Sequence, residues 1–473
     1  MLAGFVVLYL AASLAVGMYA ATRVRGASDY AVARRRFGTT VVSATVFATW
    51  FGAETVLGIP ATFVKEGLRG LVADPFSAAA CLVLVAAVFA RPFFRLDVLT
   101  LGDYFRERFG PMAEVLLSLC IAFSYLGWIA AQLVALGLAM NVLSGGAIAT
   151  HTGVLIGAGV VLAYTMAGGM WSVALTDFFQ AVVIVAGLAY ATWAVVDLAG
   201  GPMRVLEAAS QADRLRFLPE PDARSVLAWI TASLVIVFGS IPQQDVLQRV
   251  MSAKDEATAA RSAFLGGVLY FVIASLPIAL VSAALVIDGP MVGRLAGGDS
   301  QLILPTLILE RTPLAVQVFF FGALISAILS TAAGILLAPA VVIAENVLKP
   351  VVKPRGDRAM LLTMRVTVAA LAVAVTAMAL ASSMSIYQLV NESGKVVLVS
   401  SFVPLAAGLF WPRANTAGAL ASIAAGLAVW IALEIVDADA DALVPPSLAG
   451  LFASLAAMIA GSLLPIPRAH PRS

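Results

Sequence analysis

Within the apolar run "ISAILSTAAG", residues 325–334, two hydroxyls stand side by side, Ser330 and Thr331, three and four residues after Ala327. Those spacings stack residues on one face of a helix. One carbonyl and two hydroxyls can then converge on a single point. Neutral, hard oxygen ligands suit an alkali cation better than zinc or copper. The same pair also suits a helix–helix contact, or hydrogen bonds back to its own backbone. Other apolar runs carry charge: Glu54, Asp245 and the pair Glu392/Lys395. An ionisable residue at membrane depth is costly and is a functional-site candidate by default. Glu392 and Lys395, three apart, can neutralise each other. Asn391 beside them is a candidate polar contact for a substrate, and so are the amides Gln244 and Gln248. Such amides can equally satisfy freed backbone groups.

Other chemistries find no support. Cys81 and Cys120 fall in apolar segments with no disulfide framework or metal-ligand spacing. His151 and His470 lie near segment ends. No His cluster, nucleophile elbow or phosphate loop is present, so the chain is not expected to be an enzyme.

The elements that position these groups must cross a membrane. The 473 residues are 61% apolar and 12% charged, with mean hydropathy +0.99; a soluble protein carries roughly 25% charged residues. The expected fold class is an all-α polytopic membrane protein. Thirteen apolar stretches, each about 20 residues and so long enough to span, begin near Leu2, Gly38, Gly67, Met112, His151, Trp171, Ala223, Thr258, Pro313, Met360, Ser385, Thr416 and Pro446. The first lacks a basic start and a cleavage signal, so it reads as a retained helix. With the N-terminus outside, the inside loops hold 20 of the 29 Lys and Arg, including Arg34-Arg35-Arg36, and the outside loops hold eight. The positive-inside rule then selects N-out, C-in, with the cell's inner (plasma) membrane as the expected location. The acidic loop Asp437 to Ala442 falls outside, as a solvated linker.

Two spans are interrupted. The second reads "VFATWFGAETVLGIPATF", residues 46–63, with Gly52, Gly58 and Pro60; the seventh reads "IVFGSIPQQDVLQRV", residues 236–250, with Gly239 and Pro242. Proline removes a backbone donor and glycine tolerates unwinding. Unwound backbone survives at membrane depth only around a buried site or cavity. Spans 2–6 and spans 7–11 each number five, and each broken helix opens its group. An odd count reverses the second group, which gives a 5+5 inverted repeat with a midplane site. The expected organisation is residues 1–36 as first helix and basic inner loop, 37–200 as repeat 1, 201–412 as repeat 2, and 413–473 as two further helices and a short tail.

Four motifs carry a resemblance. "YTMAGGMWSVALTDFFQ" (164–180), "LQRVMSAKD" (247–255), "GLFWPRANTAGAL" (408–420) and "TLGDYFRERFG" (100–110) resemble signatures of the sodium/solute symporter family, which has the LeuT-type inverted-repeat fold. The resemblance implies a sodium ion between spans 2 and 9, held by the carbonyls of Ala48, Phe51 and Ala327 and the hydroxyls of Ser330 and Thr331. It implies that Asp177 stands on the ion's inward exit; an acid at a helix start also suits the helix dipole. "ATWFGAETVLG" is most similar to the high-affinity choline transporter-like subgroup. Trp50 and Trp128 match tryptophans of that subgroup's cage, and an aromatic face attracts a quaternary ammonium. The third cage tryptophan is replaced by Gln243, and Glu54 and Asp245 are carboxyls that pattern lacks. Trp50, Glu54, Trp128, Gln243, Gln244, Gln248 and Asn391 are the expected substrate residues.

The expected function is sodium-coupled symport of a small polar organic solute by alternating access, with a choline-like organic cation or zwitterion favoured. Alternatives are sodium symport of a monocarboxylate, sugar or proline and, in another class, a sodium-sensing membrane domain. Ser473 follows soon after the last span, which favours transport over a sensor fused to a kinase. A channel fits less well, because broken helices around a closed neutral ion site favour coupled carriage. The expected partners are a small-molecule substrate, Na+ and the lipid bilayer. No nucleic acid is expected, and nothing in the sequence fixes an oligomeric state.

Overall fold

The computed structural model describes residues 2–382, 384–436 and 443–464. The acidic loop and His470 lie outside the described residues. Among the described residues the regular structure is helical, apart from an isolated bridge between Phe37 and Ala253. Ten of the described helices are long and apolar enough to cross a membrane, or eleven when the bent pair Ala223–Gly239 and Gln244–Ser252 counts as one. Thirteen were expected. The difference lies in two continuous runs that each take in parts of two expected spans, residues 54–95 and Thr150–Leu198, and in Thr39–Trp50, which is too short to count.

Both runs contain a backbone break. A straight helix of the 49 residues Thr150–Leu198 would be about 74 Å long, more than twice a hydrocarbon core of about 30 Å. It breaks at Gly169, with φ 49° and ψ −135°. Tyr164 and Ser172, on opposite sides of the break, both meet Gly17 of the helix Leu2–Ala21. The Tyr164 Cβ lies 2.8 Å from where a Gly17 Cβ would stand, and the Ser172 hydroxyl donates to the Gly17 carbonyl at 2.5 Å. The run 54–95 turns at Gly67, φ 69°, and is extended at Asp74, φ −139° and ψ 126°.

The expected broken helices are both present. Thr39–Trp50 stops at Phe51 (φ −93°, ψ 82°), and the chain resumes as a wide π turn, Glu54–Gly58, and the helix Ile59–Glu66. Ala223–Gly239 and Gln244–Ser252 meet at 44° across residues 240–243. The ends of the two interrupted units are tied together. The Phe37 N–H donates to the Ser252 carbonyl at 3.0 Å, and the Lys254 N–H to the Phe37 carbonyl at 2.9 Å. The helix Leu314–Val342 runs through the centre, buried on all sides from Phe320 to Val342, whereas Thr416–Val436 is largely exposed or half-buried. The hydroxyls of the central helix therefore face protein, not lipid. At the edge, Thr416–Val436 packs on Pro446–Leu463, where Ser422 and Ser454 lie 2.7 Å apart.

Gly169 occupies backbone space open only to glycine, and a Cβ there would lie 2.4 Å from the Tyr30 carbonyl oxygen. Gly169→Ala should therefore destabilise the fold by about 1–3 kcal/mol of strain plus the clash. It should lower the thermal unfolding midpoint in detergent. Gly159→Ala, where nothing lies within 4 Å of the added Cβ, should leave that midpoint unchanged.

Candidate functional site

The stop at Trp50 leaves the last carbonyls of its helix without intrahelical partners. Side chains of the central helix meet them. Ser330 Oγ donates to the Ala48 carbonyl at 2.7 Å and approaches the Ala327 carbonyl at 3.1 Å, and Thr331 Oγ1 lies 3.3 Å from the Ala48 carbonyl. Ala48, Phe51, Ala327, Ser330 and Thr331 are all fully buried. Four of the five expected sodium ligands thus converge, and Phe51 stands at the break itself. The oxygens are neutral, and among the described residues no cluster of His, Cys, Asp or Glu could hold a metal. The set fits an alkali cation.

One helical turn further along the same face, Gly334 makes room for Arg249. A Cβ there would lie 2.4 Å from the guanidinium. Arg249 is 1% exposed. Its Nη2 donates to Thr49 Oγ1 at 2.6 Å and its Nη1 to the Asp245 carbonyl at 3.3 Å. Asp177 is also buried, and accepts from Thr45 Oγ1 by a short hydrogen bond and from Thr49 Oγ1 at 3.4 Å. Its other oxygen has no protein partner. Thr49, next in sequence to Ala48, therefore links the carboxylate and the guanidinium beside the proposed ion position.

A cavity opens on the other side of the first break. Trp50, Glu54, Trp128, Gln243 and Asn391 line it, joined by Asp74, Tyr270 and Tyr387. Both indoles are fixed through their N–H groups. Trp50 Nε1 donates to Asp245 Oδ2 at 3.2 Å, and Trp128 Nε1 to Glu54 Oε1 at 3.0 Å. Tyr125 stacks on Trp128 with centroids 6.2 Å apart and 12° between planes, and donates a short hydrogen bond to Asp245. Gln132 closes the far side of the break: it donates to Glu54 Oε2 at 2.7 Å and accepts the Ala53 N–H at 2.9 Å. Asp74 accepts from Thr55 at 3.2 Å and from Tyr270 by a short hydrogen bond. Among the described residues no lysine or arginine lines the cavity. Tyr387 and Asn391 also line a wider vestibule that reaches the ion pair Arg69–Glu220, 2.6 Å.

Two expected residues lie elsewhere. The Gln244 amide is spent on the chain ahead of Leu101–Phe109, accepting from the Leu101 N–H at 2.9 Å and donating to the Leu99 carbonyl at 3.0 Å. Gln248 is buried outside the cavity lining, with neither amide atom partnered by protein. Asp245 positions Trp50 and does not line the cavity. Lys395 pairs with Glu392 at 2.7 Å and with Glu434 at 3.4 Å, away from the cavity. Sequence reasoning passed over Asp74, Gln132 and Tyr270; the acid-proline pair in "VADPFS" was the signal available for the first.

Residues 30–426 match the profile of the sodium:solute symporter family. The chain belongs to this family. The high-affinity choline transporter 1 of Caenorhabditis elegans is 29% identical over 411 residues, covering 84% of this chain and 69% of that one. The human sodium/iodide cotransporter is 27% identical over 462 residues, covering 91% and 69%. A Na+-coupled sialic acid symporter, solved in a substrate-bound outward-open state, has a TM-score of 0.82 at 20% identity and covers 98% of this chain and 96% of that one. The chain is thus an integral membrane symporter with the LeuT-type alternating-access fold, and not an enzyme. Sodium is its co-transported ion, cargo and not a resident cofactor.

Gln132 satisfies an N–H and a carboxyl that no water of the bilayer core would reach. Gln132→Leu should leave the Ala53 N–H and Glu54 Oε2 without this partner, at about 1–3 kcal/mol for each. The check is thermal unfolding in detergent, with Gln132→Glu as the variant that can restore one bond.

Proposed function

We propose that this symporter imports a small organic cation or zwitterion, choline-like in chemistry, held by Trp50, Trp128 and Glu54 with Gln243 and Asn391 at the rim. The observation that carries the reading is the cavity's charge: two carboxyls, Glu54 and Asp74, with aromatic rings and, among the described residues, no basic side chain in the lining. A monocarboxylate would face two acids there. Because the indole N–H groups are held by carboxyls, the ring positions are set before a cation arrives. A cation over a desolvated aromatic face gains about 2 kcal/mol, roughly thirtyfold in affinity. Gln243, where the choline pattern has a third tryptophan, favours a substrate with a hydrogen-bonding group over one carrying only methyls.

The ion site of this reading is Ala48, Phe51, Ala327, Ser330 and Thr331, with Asp177 as the acid on the inward path. Residues 37–200 and 201–412 act as the two inverted repeats around it. The N-terminus is outside and the C-terminus cytoplasmic, in the cell's inner (plasma) membrane. Support for the exit role comes from Thr49, next in sequence to Ala48, whose hydroxyl donates to Asp177 at 3.4 Å.

Three measurements test the reading. The double variant Ser330→Ala/Thr331→Ala should lose most sodium activation of uptake while keeping its fold; wild-type sodium activation would place the ion elsewhere. Asp177→Asn should slow turnover while equilibrium substrate binding stays nearly intact. On purified protein in sodium, a screen of amines, carboxylates and sugars should find amines, and Trp50→Ala and Glu54→Gln should each weaken their binding. Binding of carboxylates or sugars alone, indifferent to Glu54→Gln, would overturn the cation assignment.

A further inference from the structure

A second cavity lies where the first helix ends, and none of the substrate residues lines it. Arg23, Arg25, Arg34 and Arg36 line it with Trp171, and its acid is Asp29. We propose that this cavity binds a phosphate anion, that of an acidic lipid headgroup at the membrane surface.

The convergence is built by the backbone. The helix Leu2–Ala21 ends just before Arg23 and Arg25, and the short helix Ala27–Val32 follows. Ala33, Arg34 and Arg35 then take left-handed φ values of 49°, 49° and 55° in succession. Non-glycine residues rarely adopt that region, and such strain persists only where the surroundings enforce it. The reversal returns Arg34 to Asp29, with Nε 3.1 Å from Oδ1, and brings Arg36 to the cavity that Arg23 and Arg25 already line. Positive-inside topology accounts for the charges. It does not account for their convergence or for the strained turn.

The charge is unbalanced. Asp29 is buried and already engaged by Arg34 and by the Arg25 backbone N–H at 3.1 Å. Asp357, at the start of the helix Asp357–Ala381, accepts the Ala27 N–H at 3.1 Å. Arg23, Arg25 and Arg36 make no ion pair among the described residues. The Arg23 guanidinium stands 5.3 Å from the Trp171 ring centroid, and the buried Trp171 indole N–H has no protein acceptor. Guanidinium forks and an indole N–H are donors that match phosphate oxygens. Tryptophan is also enriched at headgroup level, where basic clusters recognise anionic lipids. Trp171 follows the Gly169 break by two residues, so a bound headgroup would fasten the Arg23–Arg36 connector to that turn.

The test uses the full chain purified in a neutral detergent. Dioleoyl phosphatidylglycerol, dioleoyl phosphatidylcholine and inorganic phosphate are titrated separately, with thermal shift and native mass spectrometry as readouts. Phosphatidylglycerol should raise the unfolding midpoint and be retained, and phosphatidylcholine should do neither. Stabilisation by inorganic phosphate as strong as by the lipid would assign the site to soluble phosphates and overturn the lipid source. Arg23→Gln, Arg25→Gln and Arg36→Gln should each weaken lipid binding by roughly fivefold. Arg91→Gln/Arg95→Gln, changed at the arginines that face Glu256, should not. Should the arginine variants fail to fold, Trp171→Phe removes the indole N–H while keeping an aromatic ring and should still weaken retention. The proposal is overturned if phosphatidylglycerol gives no shift, or if the variants with Arg91 and Arg95 replaced lose binding as much as the others.

Discussion

A helix interrupted at membrane depth exposes carbonyls and N–H groups that no water of the bilayer core can satisfy. The break after Trp50 is the point on which the rest of this protein depends. Its carbonyl side, at Ala48, is met by Ser330 and Thr331; its N–H side, at Ala53, is met by Gln132. The helices that supply those side chains are thereby held against the break. The oxygen cluster that results is also the proposed ion position. Structural satisfaction and ion binding use the same atoms, so ion occupancy and the packing of Thr39–Trp50 on Leu314–Val342 are coupled by construction.

The acids serve the same economy. Asp245 and Glu54 each accept an indole N–H, so two carboxyls within apolar runs fix the two rings that face the cavity. Asp245 opens the helix Gln244–Ser252, where a negative charge suits the N-terminal end. It joins the two broken helices through Trp50. Arg249, one turn on, is held by Thr49 and by the Asp245 carbonyl, and Gly334 gives it space. The face that carries Ala327, Ser330 and Thr331 thus continues into a buried charge layer shared with Asp177.

Much of this was legible in the chain. Broken spans 2 and 7, the 327/330/331 face and the cavity positions of Trp50 and Glu54 rest on local signals: helical spacing, Gly and Pro in apolar runs, and acids where acids are costly; Trp128 was reached only through the family resemblance. Gln244 read as a lining candidate because it shares a segment with Gln243. The helix starting at Gln244 turns its amide to the backbone near Leu99 instead. Asp74 was passed over because its span is otherwise smooth, and Gln132 because one amide in an apolar helix carries no period. Thirteen spans were expected and ten to eleven helices are counted among the described residues, because residues 54–95 and Thr150–Leu198 each run on through a backbone break and Thr39–Trp50 is short.

The sequence by itself determined the class of protein, the positions of the breaks and the oxygen-bearing helix face. These follow from composition and from repeats of three to four residues, which any local stretch displays. Only the tertiary structure decided which side chain answers which distant polar group: Gln132 the Ala53 N–H, Ser330 the Ala48 carbonyl, Arg249 the Thr49 hydroxyl. Those partners lie 79, 282 and 200 residues apart. No spacing rule reaches that far, because through-space hydrogen bonding depends on how whole helices pack, and packing is set by all the faces at once.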